Sequence, residues 1–160
     1  MTEMRFSNGA VAVPKAADAE LRLPPTVLVV EDDDVDFMVI AELLRPIGCS
    51  IERASDLKMA CRRAGRFGHP VDLVVADLHL GDGWPTITFD ALAMAWDHKP
   101  IIVVSGCSPE LSIIQRGTYP VVELFDKNAF DALTFLTTVQ VALRAGRRFP
   151  RSSIPAGLSE

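Results

Sequence analysis

The sequence predicts an α/β protein, a doubly wound parallel sheet of five strands. Short apolar runs rich in β-branched residues, such as TVLVV at 26–30 and PIIVV at 100–104, are typical of strands buried on both faces. Segments with helical spacing separate these runs, and helical crossovers between apolar strands imply a parallel sheet. The 160 residues, 49 % of them hydrophobic, suffice for one domain of this kind.

The first four predicted elements lie before Gly68. The helix that follows the first strand is capped by Asp33 or Asp34, carries apolar residues at helical spacing, and stops at Pro46 and Gly48. A weaker strand and a basic helix follow it. In chain order we predict the strand Thr26–Val30, the helix Asp33–Arg45, the strand Ser50–Ala54 and the helix Asp56–Arg66.

The last six predicted elements continue the alternation. The final helix is the best defined, because Asn128 can cap it, Asp131 lies in its first turn and Gly146 follows its end. The helix before the fifth strand is short and weak. In chain order we predict the strand Val71–Ala76, the helix Thr86–Trp96, the strand Pro100–Val104, the helix Pro109–Arg116, the strand Pro120–Phe125 and the helix Asn128–Ala145.

The two ends of the chain differ from its centre. Residues 1–25 mix small, charged and proline residues without a period, so we expect a flexible N-terminal extension. Residues 26–146 form the predicted domain, and residues 147–160 form a C-terminal tail.

Composition excludes several classes of protein. The net charge of −5 does not indicate a nucleic-acid binder, and no apolar run approaches the roughly 20 residues that span a membrane. Charged residues interrupt the first 25 positions, which excludes a signal peptide. Cys49, Cys61 and Cys107 match no zinc or redox pattern. We therefore expect a reduced, cytoplasmic protein with no direct nucleic-acid partner and no membrane association.

Polar residues follow the predicted strands at the places where ligands bind in open α/β sheets. Such ligands lie beyond the carboxyl ends of the strands. Three carboxylates, one hydroxyl and one ammonium would therefore meet on one rim. They belong to Glu31 and Asp32 after the first strand, Asp77 after the third, Ser105 at the end of the fourth and Lys127 after the fifth.

The chemistry of this set is restrictive. Carboxylates that converge repel one another, so they need a cation or a shared proton. A set of oxygen ligands suits a hard ion, above all Mg²⁺. A carboxylate beside such an ion can attack a phosphoryl group, and the ion, the lysine and the hydroxyl can then neutralise the phosphoryl oxygens.

Four segments resemble the receiver domain of two-component response regulators. They are VLVVEDD at 27–33, DLVVADLHLGDG at 72–83, PIIVVSG at 100–106 and LFDKNAF at 124–130. The resemblance extends over residues 26–144 and implies a flavodoxin-like (βα)5 fold with strand order 2-1-3-4-5.

The resemblance also implies a role for each residue of the rim. Asp77 would be the phosphoacceptor, Ser105 the hydroxyl that turns toward the phosphoryl group, and Lys127 its ion-pair partner. The metal ion would be Mg²⁺. Its ligands would be Glu31, Asp32, Asp77 and the backbone carbonyl of His79.

Three features depart from the pattern of that family. Asn128 follows Lys127 where the family has a proline, which removes the usual cis peptide bond. Leu124 stands at the place of the switch aromatic, so either Phe125 substitutes for it or the aromatic–hydroxyl coupling is absent. The loop after Asp77 reads LHLGDGWP, without the usual proline-containing turn.

The function predicted from the resemblance is that of a stand-alone receiver. It would accept a phosphoryl group on Asp77 from a sensor histidine kinase or a histidine phosphotransfer protein, with self-phosphorylation and autodephosphorylation as its only chemistry. It would then signal or relay through contact with a downstream protein. Exposed apolar residues of the first helix, Val35, Phe37 and Met38, are candidate contacts. A homodimer would use the face of the fourth helix, fifth strand and fifth helix.

Two other functions remain open at this point. The first is a receiver-like interaction module that needs no phosphorylation, which the departures at Leu124 and Asn128 favour. The second is a phosphatase of the haloacid-dehalogenase type, which also uses a strand-end aspartate and a later lysine. That family expects Thr or Val where Asp36 stands, and it expects an acidic motif after the lysine that does not follow Lys127.

Overall fold

The computed structural model describes residues 23–64, 71–81, 83–96, 99–106 and 121–146. The N-terminal extension up to residue 22, the short helix predicted at Pro109–Arg116 and the C-terminal tail lie outside these residues. No helix in the described part of the chain is long and apolar enough to span a membrane.

The architecture is a single five-stranded sheet in which all strand pairs are parallel. The strands lie in the order β2-β1-β3-β4-β5, which confirms the predicted fold class and strand order. They are β1 (Thr26–Val30), β2 (Ser50–Ala54), β3 (Val71–Ala76), β4 (Ile101–Ser105) and β5 (Val121–Asp126).

Helices connect β1 to β2, β2 to β3 and β3 to β4, as parallel pairing requires, and a further helix follows β5. In the described residues they are α1 (Asp34–Leu44), α2 (Leu57–Ala64), α3 (Pro85–Ala95) and α4 (Ala132–Gly146). Short 3₁₀ turns follow α1 at Arg45–Ile47 and β5 at Lys127–Ala129. The cap of α1 is Asp33, whose side chain accepts the backbone N–H groups of Val35 and Asp36.

The predicted start of the last helix at Asn128 is wrong. Asn128 lies in the 3₁₀ turn, where its backbone N–H donates to the Asp126 carboxylate. The cap of α4 is made by Asp131, which accepts the N–H groups of Leu133 and Thr134. Two residues that could cap the helix lie within four positions of the sequence. The first, Asn128, belongs to the turn after β5, so the second, Asp131, caps the helix.

The core consists of two apolar layers, one on each face of the sheet. One layer packs α2 and α3 against the sheet and includes Phe89, Leu92 and Trp96. The other packs α1 and α4 against the opposite face and includes Leu44 and Phe135. Burial on both faces explains why the central strands read as continuous apolar runs.

Strand register brings four carboxyl ends to one edge of the sheet. Val30 of β1 pairs with Ala76 of β3, Ala76 pairs with Val103 of β4, and Ser105 pairs with Asp126 of β5. The backbone N–H of Asp77 donates to the carbonyl of Val30 over 2.9 Å. The residues that follow these strands therefore meet at this edge.

Candidate functional site

The ammonium of Lys127 lies at the centre of the carboxyl edge and joins three carboxylates. Its Nζ donates to Glu31 Oε2 over 3.0 Å, to Asp77 Oδ2 over 2.7 Å and to Asp36 Oδ2 over 2.6 Å. We call Lys127, Glu31, Asp36 and Asp77 the lysine cluster. Lys127, Glu31 and Asp77 directly follow β5, β1 and β3, and Asp36 lies in α1, so only the folded sheet brings the four residues together.

Burial and charge act in opposite directions within the lysine cluster. Partial burial by itself lowers the pKa of Lys127, but its hydrogen bonds to Asp36, Asp77 and Glu31 outweigh burial and raise that pKa well above its ordinary value. Burial raises the pKa of Glu31, and the Lys127 ammonium only partly offsets this rise. The lysine therefore stays charged and compensates the carboxylates around it.

Asp77 and Ser105 are both buried, and His79 contacts both of them. The backbone N–H of His79 donates to Asp77 Oδ1 over 2.9 Å, and its ring nitrogen Nδ1 lies 2.9 Å from Ser105 Oγ. The same Nδ1 is 3.8 Å from Asp77 Oδ1. His79 thus links Ser105 to Asp77, and the Ser105 hydroxyl already has a side-chain partner.

Asp32 lies on the solvent side of the edge. Its Oδ2 accepts the backbone N–H of Gly81 over 3.1 Å, which links the loop after β1 to the loop after β3. Gly81 has φ +63°, a conformation that glycine adopts at low cost. Asp32 is close to the residues after Asp77 but outside the lysine cluster.

The guanidinium of Arg53 holds the loop that carries the acidic pair. Its Nε donates to the carbonyl of Glu31 over 3.1 Å, and its Nη2 donates to the carbonyl of Asp32 over 3.0 Å. Nη1 contacts the carboxylate of Asp34, and the guanidinium carbon lies 4.8 Å from the ring centroid of Phe37. Arg53 therefore fixes the backbone on which both acidic side chains depend.

Two features bear on whether a divalent cation could bind at this edge: the chemistry of the oxygen ligands and the position of the Lys127 ammonium. The oxygens of Glu31, Asp32 and Asp77 are the ligands that Mg²⁺ prefers, so the donor chemistry fits. Within the described residues, however, no three His, Cys, Asp or Glu side chains form a group that could hold a metal ion. The ammonium of Lys127 contacts both Glu31 and Asp77, so a cation shared by these two carboxylates would have to displace it.

Three contacts of this site are not among those that the sequence predicts. They are the contact of Asp36 with Lys127, the contacts of Arg53 with the backbone of the acidic pair, and the contact of the His79 ring with Ser105. For His79 the resemblance implies only a role of the backbone carbonyl. The run of acidic residues from Glu31 to Asp36 was the available signal for Asp36. No sequence signal indicated Arg53, because its contacts cross between neighbouring strands.

The structure shows where Leu124 and Phe125 of β5 lie relative to the two apolar layers. Side chains alternate along a strand, so Phe125 and Leu124 face opposite layers. Phe125 packs with Phe130 and Phe135 in the α1/α4 layer, at ring-centroid distances of 5.8 Å and 5.5 Å. Leu124 packs against the α2/α3 layer. Phe125 is thus a core residue on the other face of the sheet from Leu124, and it does not take the place of the missing aromatic.

Asn128 connects two strand ends. Its Nδ2 donates to the carbonyl of Gly106 over 3.2 Å and to Asp126 Oδ1 over 3.0 Å. The described residues contain no cis peptide bond, in agreement with the absence of a proline after Lys127. Asn128 therefore joins the turn after β5 to Gly106, the residue that directly follows β4.

The first helix displays part of its predicted contact surface. Val35 and Met38 are exposed, whereas Phe37 is half-buried and packs beneath Arg53 and against the α1/α4 layer. Of the three candidate contacts, only Val35 and Met38 are available to a partner.

Comparison with known proteins defines the fold. No protein-family model and no curated protein matches the sequence. Solved structures do match. One is the signal receiver domain of an HD domain-containing protein from Pseudomonas fluorescens Pf-5, with TM-score 0.65 and 22 % identity, covering 79 % of this chain and 99 % of its own.

Two further structures agree with the first. A response regulator receiver domain protein from Clostridium thermocellum has TM-score 0.65 and 17 % identity, covering 78 % of this chain and 98 % of its own. A CheY-like response regulator receiver domain protein from Methanospirillum hungatei JF-1 has TM-score 0.65 and 18 % identity, with the same coverage. The chain has the fold of response regulator receiver domains, which confirms the predicted resemblance at the level of fold.

Proposed function

We propose that this protein is a response regulator receiver that accepts a phosphoryl group on Asp77 from a phosphohistidine donor. The observation that carries the proposal is the 2.7 Å contact between Lys127 Nζ and Asp77 Oδ2 at the carboxyl edge of a receiver fold. A buried carboxylate with an ammonium against it and a hydroxyl nearby has the parts that phosphoryl transfer needs.

The transfer is a displacement at phosphorus. A carboxylate oxygen of Asp77 forms the new O–P bond while the N–P bond of the donor breaks, and the donor imidazole leaves and takes up a proton. Lys127 exchanges a carboxylate contact for a phosphoryl oxygen and neutralises charge there. The hydroxyl of Ser105 turns from His79 to donate to another phosphoryl oxygen.

A divalent cation would be held by Glu31, Asp32, Asp77 and the carbonyl of His79. When bound, Mg²⁺ neutralises the carboxylates and polarises the phosphoryl group. Support comes from the oxygen-only donor set and from the Arg53 contacts that fix the backbone of Glu31 and Asp32. The Lys127 ammonium holds Glu31 and Asp77, two of the residues that would bind the ion, near one another.

The proposed partners are a sensor histidine kinase or a histidine phosphotransfer protein as donor, and a downstream protein as target. These partners would place the protein in the cytoplasm. The exposed side chains of Val35 and Met38 lie on α1, the helix that follows the acidic loop, and support a donor contact there. A homodimer through β5 and the flanking helices stays a prediction.

A second candidate function is an interaction module that works without phosphorylation. One observation favours it: Lys127 is already paired with three carboxylates, and Ser105 already contacts His79, so the site is satisfied without ligand. The core position of Phe125 leaves Leu124 without an aromatic substitute, which weakens a phosphorylation-driven switch.

Mass spectrometry after treatment with phosphoramidate and Mg²⁺ tests the proposal. The wild type should gain an acid-labile phosphate on Asp77, and Asp77→Asn should gain none. Asp90→Asn, a substitution on the exposed side of α3, is the matched control and should behave like the wild type. A wild type that gains no phosphate on Asp77 would favour the second candidate.

A further inference from the structure

The Lys127 ammonium has no donor left for a phosphoryl oxygen. An ammonium carries three N–H groups, and all three are directed to the carboxylates of Glu31, Asp77 and Asp36. Phosphoryl acceptance therefore requires at least one of these contacts to break. Which contact breaks first depends on how well water can solvate each carboxylate once Lys127 has moved away.

Of the three contacts, the one between Lys127 and Asp36 should cost the least free energy to break. The side chains of Glu31 and Asp77 are 1 % and 7 % exposed, so breaking their contacts would leave buried charges unpaired. The side chain of Asp36 is 45 % exposed, so water can solvate it once Lys127 departs. Its contact is nevertheless the shortest of the three, at 2.6 Å.

The helix start holds Asp36 in this place. Its backbone N–H donates to Asp33 Oδ1 over 2.9 Å, which fixes the first turn of α1 beside the lysine. A cavity of about 150 Å³ adjoins the pair and is lined also by Val39, Val104 and Phe130. The cavity leaves room for the stem of Lys127 or for the side chain of Asp36 when the contact breaks.

We propose that Asp36 is a positioning residue that holds Lys127 toward α1 and thereby slows phosphoryl acceptance by Asp77. The inference rests on the proposed function. The contact must open before Lys127 can bind the incoming phosphoryl group, because each N–H group of the ammonium already has a carboxylate partner. The carboxylate restrains the site; it is not a ligand of the reacting group.

Phosphorylation kinetics with phosphoramidate and Mg²⁺ test the inference. The fraction of phosphorylated protein is measured by intact-mass spectrometry over time, at a range of donor concentrations. Asp36→Asn should raise the second-order rate about three- to tenfold, mainly through the maximal rate, because Lys127 is no longer held back. Asp36→Glu restores the carboxylate and should return the rate toward that of the wild type. Circular dichroism and thermal melting establish that each variant is folded.

Asp34→Asn is the matched control for charge. It removes the same charge from the same helix end, but the Asp34 carboxylate contacts Arg53 and stands outside the lysine cluster. An equal acceleration in Asp34→Asn, or a change confined to the donor concentration at half-maximal rate, would mean a general charge effect and overturn the inference. So would a folded Asp36→Asn with the wild-type rate.

The failure of the proposed function has a different signature. If the wild type gains no phosphate on Asp77 under any donor concentration, the proposed function fails and the role of Asp36 falls with it. If the wild type gains phosphate and Asp36→Asn does so no faster, only the inference about Asp36 fails.

Discussion

The Nδ1 atom of His79 lies 2.9 Å from the hydroxyl oxygen of Ser105. The proposed transfer requires this hydroxyl to turn to the phosphoryl group, so the histidine competes with the reaction for Ser105. The contact joins a residue two positions after Asp77 to the end of the neighbouring strand.

Replacement of Ser105 tests this competition. Ser105→Ala should lower the rate of phosphoryl acceptance about tenfold or more, because a hydrogen bond to a charged group is lost. His79→Phe keeps a ring of similar size but removes the nitrogen, and it should raise the rate a few fold. Initial rates of phosphorylation by phosphoramidate provide the measurement.

A double-mutant cycle separates competition for Ser105 from other effects of His79. In the Ser105→Ala background, His79→Phe should have no further effect, because no hydroxyl remains to be released. If His79→Phe accelerates both backgrounds equally, the histidine acts in another way, for example on access of water.

Arg53 should matter both for the metal dependence and for the stability of the fold. Arg53→Met removes the donors to the carbonyls of Glu31 and Asp32, and the loss should cost about 1–3 kcal/mol in the free energy of unfolding. The Mg²⁺ concentration at half-maximal phosphorylation should rise about tenfold, since a residue that orients the ligands is lost.

The control for Arg53 is Arg63→Met. Arg63 lies on α2 and pairs with Glu52, a residue of the same strand as Arg53. Within the described residues, its side chain makes no hydrogen bond to the backbone of Glu31 or Asp32. Its replacement should leave the Mg²⁺ dependence unchanged. If the Mg²⁺ concentration at half-maximal phosphorylation rises equally in both variants, Arg53 acts only through net charge or general stability.

Glu31 should reduce stability at neutral pH. Burial raises its pKa, so its contribution to stability is fully present when it is protonated and is lost as pH rises through the raised pKa. Glu31→Gln should therefore melt a few degrees above the wild type at neutral pH, and the gap should close as pH falls to about 4.

Thermal melting at several pH values, with Glu42→Gln as the control, measures this effect. Glu42 is exposed on α1 and pairs with Arg45. Its replacement should change the melting temperature little at any pH. A Glu31→Gln variant that melts below the wild type at neutral pH would mean that the Lys127 contact outweighs the cost of burial.

Phe135 should be a major determinant of stability. It is fully buried and packs edge-on against Phe125 at 5.5 Å and against Phe130 at 5.2 Å. Phe135→Ala should lower the free energy of unfolding by about 3–5 kcal/mol, because it removes a large side chain and leaves a cavity. Urea denaturation provides the measurement.

Leu133 supplies the comparison for Phe135. It lies on the same helix but is 75 % exposed, so Leu133→Ala should change stability by no more than about 0.5 kcal/mol. Similar losses at the two positions would indicate that α4 is not packed on the sheet through Phe135.

Much of the fold could be predicted because its signals are local. The apolar runs of β1, β3 and β4 and the helices between them follow from periodicity, and alternation implies a parallel sheet. The start of α4 was missed because Asn128 and Asp131 are both good capping residues. Only the hydrogen bond from Asn128 to Asp126 in the turn decides between them.

The order of strands and of strand-end residues along the chain predicts that Glu31, Asp77, Ser105 and Lys127 lie at one edge, because parallel strands place their carboxyl ends together. Which of these side chains are in contact depends on the folded arrangement and has no signal in the chain order. Strand register and side-chain rotamers determine three sets of contacts. They are the contacts of Lys127 with three carboxylates, of the His79 ring with Ser105, and of Arg53 with the backbone of the acidic loop. Contacts between residues up to 96 positions apart leave no periodic signal in the sequence.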